Sequence, residues 1–156
     1  MRKKQTVLAG LLVLFGFAAS AGAMDIHSYH GTAQQESTTT DSEQVMLENN
    51  TSNGVMAMAH LQDITKKMVK YNQDKTHHLM IMFKDASSET IFDSGLVAVK
   101  VIDPAGTESP AVKMLGMDGS FGADLVLAQK GKYTFEVGTK LGDNTTRQFR
   151  FQHTMN

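Results

Sequence analysis

His77-His78-Leu79-Met80-Ile81-Met82-Phe83 alternates along its length, with His77, Leu79, Ile81 and Phe83 at one set of positions and His78, Met80 and Met82 at the other. Successive side chains of a strand point to opposite faces. The spacing therefore predicts a β-strand with one apolar face and one face of thioethers and imidazole. Upstream, Val55, Ala57, Ala59 and Leu61 interleave with Met56, Met58, His60 and Gln62 in the same rhythm, which predicts a second strand of the same kind. Between the two, Asp63 stands where it can cap a short helix. Leu61, Ile64, Met68 and Tyr71 recur at helical spacing, placing one apolar stripe on that helix.

Downstream, short β-rich runs are separated by turn chemistry. Leu96 to Ile102 carries Val97, Val99 and Val101 on one side, and Asp103-Pro104-Ala105-Gly106 follows as a turn in which proline presets the second position and glycine suits the fourth. Val112 to Leu115 and Phe121 to Leu127 flank Asp118-Gly119, a tight hairpin pair. Lys130-Gly131 leads into Tyr133, Phe135 and Val137, and Leu141-Gly142-Asp143-Asn144 leads into Phe149 and Phe151. Turn signals at such short intervals predict a mainly β domain, an immunoglobulin-like antiparallel β-sandwich of about seven strands with one short helix.

The N-terminus has a basic start (Arg2, Lys3, Lys4), an apolar run from Val7 to Ala19 and the small residues Ala21-Gly22-Ala23. This is the pattern of a secretory signal peptide over residues 1–23, so the chain is expected to be exported to a periplasm or the extracellular space. The run is shorter than the roughly 20 apolar residues of a spanning helix, and no stable membrane insertion is expected once the signal is removed. Residues 24–53 are rich in Gln, Ser, Thr and Asn, including Ser37-Thr38-Thr39-Thr40, and read as a flexible polar leader; the β-sandwich domain then occupies 54–156. His27 and His30 lie in that leader, near the new N-terminus. With no cysteine, neither a disulfide framework nor a lipid-anchored cysteine is available. Fifteen basic residues against sixteen acidic ones, three of the basic ones inside the signal, leave no basic patch for nucleic acid.

One constellation could carry chemistry. Met56-x-Met58-x-His60 and His78-x-Met80-x-Met82 place thioethers and imidazoles at alternate positions of two strands. These are neutral, soft donors, and they suit monovalent copper or silver. If the strands lie side by side, His78, Met80 and Met82 form the ligand core, and Met56, Met58 or His60 complete it, with copper(I) as the bound cofactor. Met114 and Met117 flank a hairpin and could reach the rim of such a site. Methionine also fills cores well, so the same residues suit packing. His77, on the apolar face, reads as a packing histidine and His153 as a strand-end one; Asp118 and Asp124 read as turn and surface residues. No Gly-x-Ser-x-Gly elbow, phosphate-binding glycine loop or His-Glu-x-x-His helix occurs, so no enzyme is expected. The partner is then a metal ion or, on the rival reading of a structural or protein-interaction module, another protein of the cell envelope.

From His77 to Phe151 the chain resembles the YtkA-like group of small exported immunoglobulin-type domains. The resemblance rests on the His/Met-bearing strand, Gly95-Leu96-Val97-Ala98-Val99-Lys100-Val101 followed by Asp103-Pro104-x-Gly106, Met114-Leu115-Gly116-Met117, and Gly131-Lys132-Tyr133-x-Phe135-x-Val137. It implies a periplasmic or surface module, often in copper handling or respiratory assembly. The segment 63–71 departs from the pattern. The Met-x-Met-x-Phe stretch ending at Phe83 is also similar to a strand of periplasmic silver and copper metallochaperones with OB barrels. Those cap the ion with a tryptophan, and this chain has none.

Overall fold

The computed structural model describes residues 44–156. They form nine strands and one short helix: β1 (Gln44–Met46), β2 (Asn50–Ser52), β3 (Val55–Asp63), α1 (Thr65–Val69), β4 (His77–Asp85), β5 (Gly95–Ile102), β6 (Val112–Met117), β7 (Ser120–Leu125), β8 (Gly131–Leu141) and β9 (Thr146–Met155). All pairings are antiparallel, in the order β1-β3-β4-β7-β6-β5-β8-β9, with β2 also on β3. Strand β6 passes between two layers, since Val112 to Met114 pair with β5 and Leu115 to Met117 pair with β7. Opposite that crossing, Asn50 of β2 donates its side-chain amide to the Arg150 carbonyl of β9 at 3.0 Å. The sheet thus curls until its ends meet, giving the sandwich-like β fold the turn pattern implies. All seven expected strands are present.

Alternation decides what is buried. Val55, Ala57, Ala59 and Leu61 of β3 and His77, Leu79, Ile81 and Phe83 of β4 point inward, against Val97, Val99, Phe135, Val137, Phe149 and Phe151 of the facing layer. Each large apolar side chain buried this way stabilises the fold by about 1.5–3 kcal/mol. Phe83 sits at the centre. Its ring meets Phe121 edge-on at 5.8 Å and Phe149 of the other layer at 5.3 Å.

The domain begins before Gly54. Gln44–Met46 and Asn50–Ser52, which composition assigns to the polar leader, hydrogen-bond to β3 as edge strands. Edge pairing uses backbone groups and needs little apolar surface; buried Leu47 and partly buried Val45 supply the anchor. The signal segment and the rest of the leader, with His27 and His30, lie outside the described residues. The turn joining β2 to β3 is Asn53-Gly54, with φ of 44° and 75°, the conformation an Asn-Gly hairpin adopts. Asp118 and Gly119, at 43° and 79°, make the same kind of turn between Met117 and Ser120, as their sequence implies. The helix is a single turn, and the Asp63 side chain accepts the Thr65 N–H at 2.8 Å. Ile64 is buried, yet Tyr71 is exposed; one turn is too short to bury a stripe reaching that far.

Arg147 fastens the closure. Its guanidinium donates to both carboxylate oxygens of Asp143, at 3.0 and 2.6 Å, donates from Nε to the Asn53 carbonyl at 3.4 Å, and lies over the Phe92 ring. The Arg147 hydrogen bonds, with help from the Thr145 N–H, hold the Asp143 carboxyl at about 2, below its ordinary 3.8. A depressed acid favours the folded state above its unfolded value. That contribution is therefore complete above 3.8 and disappears as pH falls through about 2. Asp143→Asn is expected to flatten this part of the acid limb in urea denaturation measured across that window.

Candidate metal site on the outer face of β3 and β4

Because β3 and β4 bury their odd-numbered residues, the even-numbered ones face outward and are half-buried. The register sets Met58 directly opposite Met82, His60 opposite Met80, Gln62 opposite His78 and Met56 opposite Lys84. Directly opposed Cβ atoms lie about 4.5–5.5 Å apart, a gap two thioether arms span easily. The two strands therefore share one soft face. The six candidate residues do not form one coordination shell, however. Same-face positions advance by about 6.5–7 Å along a strand, so Met82 and Met58 stand one step beyond Met80 and His60, and Met56 one step further still. Met46 of β1 extends the face, opposite His60 and 64% exposed.

The two outward histidines differ in what they can offer. The Gln44 side-chain amide donates to His60 Nδ1 at 2.8 Å, which places the proton of the neutral ring on Nε2. His78 is the reverse case. Its Nδ1 lies 2.6 Å from the Asp124 carboxylate on β7, so Nδ1–H donates and, in the neutral ring, the lone pair is on Nε2. A carboxylate behind the imidazole is the usual arrangement of a metal-binding histidine.

The Nε2 edge of that ring lies over a position with no side chain. Gly122 of β7 pairs with Met80 on one side and Leu115 on the other. A Cβ at position 122 would meet His78 Nε2 at 2.8 Å and the Met117 methyl at 2.9 Å. Imidazole and thioether thus fold over one glycine and cover it; Gly122 is buried although its free side points outward. Composition and spacing do not reveal Asp124 or Met117 as neighbours of His78, because only the β4–β7 and β6–β7 pairings bring them there. The available signal is a glycine inside a strand, which often marks the close approach of another group.

The remaining candidates are accounted for by packing. Met114 is 2% exposed and belongs to the core, so it cannot reach the face. His77 is buried on the apolar face with Nδ1 2.9 Å from the Thr76 hydroxyl, and burial pushes its pKa down. His153 is half-buried at the end of β9. Among the described residues, no three or more His, Cys, Asp or Glu side chains gather to hold a metal ion, so any site here must recruit methionine. Nor is any described helix long and apolar enough to cross a membrane.

No family model matches this chain, and no curated protein does. Two solved structures were matched. A DUF4426 family protein from Pseudomonas aeruginosa PAO1 superposes with a TM-score of 0.51 at 10% identity, covering 70% of this chain and 94% of its own. The PmoD soluble domain from a Methylocystis species gives a TM-score of 0.40 at 12% identity, covering 69% and 97%. The first likeness shows a shared β architecture and nothing finer; at its score the second bears on neither fold nor function.

Proposed function

We propose that this chain is an exported, non-enzymatic protein that binds copper(I) or silver(I) on the outer face of β3 and β4. His78, Met80 and Met82 are the central donors, with Met58 across the seam, Met56 at its far end, and His60 able to join only when Gln44 releases its Nδ1. The observation that carries this reading is the register, which opposes Met58 to Met82 and His60 to Met80 on the outward, half-buried face of the two strands. The core does not need these residues, since Val55 to Leu61 and Leu79 to Phe83 already fill it from the opposite face. Thioethers and neutral imidazole are soft donors that hold monovalent copper without an oxidisable thiol. The signal-like N-terminus and the YtkA-like resemblance support a periplasmic or surface setting.

Titration of the purified protein with copper(I) against a competing chelator tests this. Stoichiometric binding tighter than micromolar is expected; weaker binding removes the proposal. A second reading follows from exposed Leu115 and Met46, each more than 60% accessible beside the methionines. Methionine-rich surfaces also suit adaptable protein contacts, so this face could dock an envelope protein. A partner retained equally with and without a copper chelator would favour docking.

A further inference from the structure

We infer that the ion is anchored away from the β3–β4 seam, over Gly122, where His78 Nε2, the Met117 thioether and the Met80 thioether supply one nitrogen and two sulfurs. This deepens the soft-metal reading and rests on it. Three features of the sheet make the position. Asp124 accepts a hydrogen bond from His78 Nδ1–H at 2.6 Å, which fixes the ring so that its Nε2–Cε1 edge lies over Gly122. The missing side chain of Gly122 leaves room for both the ring and the Met117 methyl, which can be no further apart than the two short distances to that one point added together. Met80 is the register partner of Gly122 and stands on the same outward face, two residues from His78.

The other outward groups fit less well. His60 already accepts a hydrogen bond from Gln44 at Nδ1, and its other nitrogen carries the proton. Met56 is opposed by Lys84, whose ammonium pairs with Glu89. A site of one imidazole and two thioethers is neutral. It suits a monovalent soft ion better than zinc, which favours imidazole, carboxylate and thiolate in fours. The Asp124 carboxylate, 38% exposed, offsets the ion's charge through the imidazole and is a positioning residue. Met117 is 40% exposed at the end of a tight hairpin, so its arm can leave the ion when an acceptor approaches.

The test compares silver(I) and copper(I) affinities of the purified protein with those of Met117→Leu, Gly122→Ala and Asp124→Asn, using Met68→Leu on the helix as a control. Met117→Leu removes a sulfur without removing volume. Gly122→Ala removes no donor, but its methyl displaces the His78 ring and the Met117 methyl. Asp124→Asn tests the tautomer, and loss of a carboxylate behind a metal-binding histidine typically weakens affinity about 10–100-fold. We expect both Met117→Leu and Gly122→Ala to weaken binding by at least tenfold, with Met68→Leu unchanged, and the His78 Nε2 resonance in nitrogen-15 spectra to move on silver addition. Should Gly122→Ala fail to fold, Met117→Leu decides, because Met117 is partly exposed and the swap conserves volume. Wild-type affinity in Met117→Leu, together with loss in a Met58→Leu/Met82→Leu protein, would place the ion on the seam and overturn the anchor while sparing the soft-metal reading. No binding by the wild-type protein would overturn both.

Discussion

Phe83→Ala is expected to lower the free energy of unfolding by about 3–5 kcal/mol, read from urea denaturation with the slope unchanged. The residue is fully buried on β4, and its ring touches Phe121 of the same layer and Phe149 of the facing layer. Truncation therefore removes transfer free energy and opens a cavity between layers that backbone pairing on both sides keeps from collapsing. Aromatic pairs add about 0.5–1.5 kcal/mol each beyond area, which places this site towards the upper end of the range. The effect bears on function as well, since the strand that buries Phe83 is the one that turns Met80 and Met82 outward. A loss below about 1 kcal/mol would mean that β4 does not bury this face, and the outward placement of its methionines would fall with it.

Replacing Met80 and Met82 together by leucine is expected to weaken copper(I) binding at least 100-fold, about 2.8 kcal/mol at 1.4 kcal/mol per tenfold, while leaving the fold intact. Leucine keeps the volume and loses the sulfur. Such swaps cost under about 1.5 kcal/mol each even in cores, and both positions here are half-exposed, so thermal unfolding should change little. Met80 is the more exposed to loss of function. It borders both His60 across the seam and Gly122 on the other side, so every arrangement of donors on this face uses it. Competition titration and thermal unfolding on the same preparation separate lost ligation from lost structure. Unchanged affinity in the double variant would show that these sulfurs are not donors.

Which parts of the molecule are legible in the sequence follows from where the information sits. Val55 to Leu61 and His77 to Phe83 each bury one face, so spacing alone orients every side chain along them. Asp118-Gly119 adopts the positive φ values that the pair favours, and the hairpin forms where it is expected. Asn53-Gly54 carries the same signal, but the residues before it are polar. Their strand is held through backbone hydrogen bonds to β3 and by Leu47, neither of which gives alternation to read. Met114 illustrates a different limit. It lies three residues from Met117 on the strand that crosses between layers, and burial of one with exposure of the other depends on where that crossing falls. The His78, Asp124 and Met117 neighbourhood is non-local in the same sense, for Met117 and Asp124 lie dozens of positions from His78 and only pairing through β7 joins them to it. Spacing therefore locates the donors of β3 and β4, whereas the carboxylate behind His78 and the glycine beneath it emerge only from strand order.

The central claim is that the outward thioethers of this sheet, and not the buried one, hold a soft monovalent ion. It is tested most directly by silver(I) titration of protein carrying carbon-13 methionine methyl groups, followed by NMR. The account predicts that the Met80, Met82, Met58 and Met117 methyl signals move until one equivalent is bound, with the largest shifts at Met80 and Met117, while Met114 in the core stays fixed. Signals that do not move, or a Met114 shift as large as that of Met80, would contradict it.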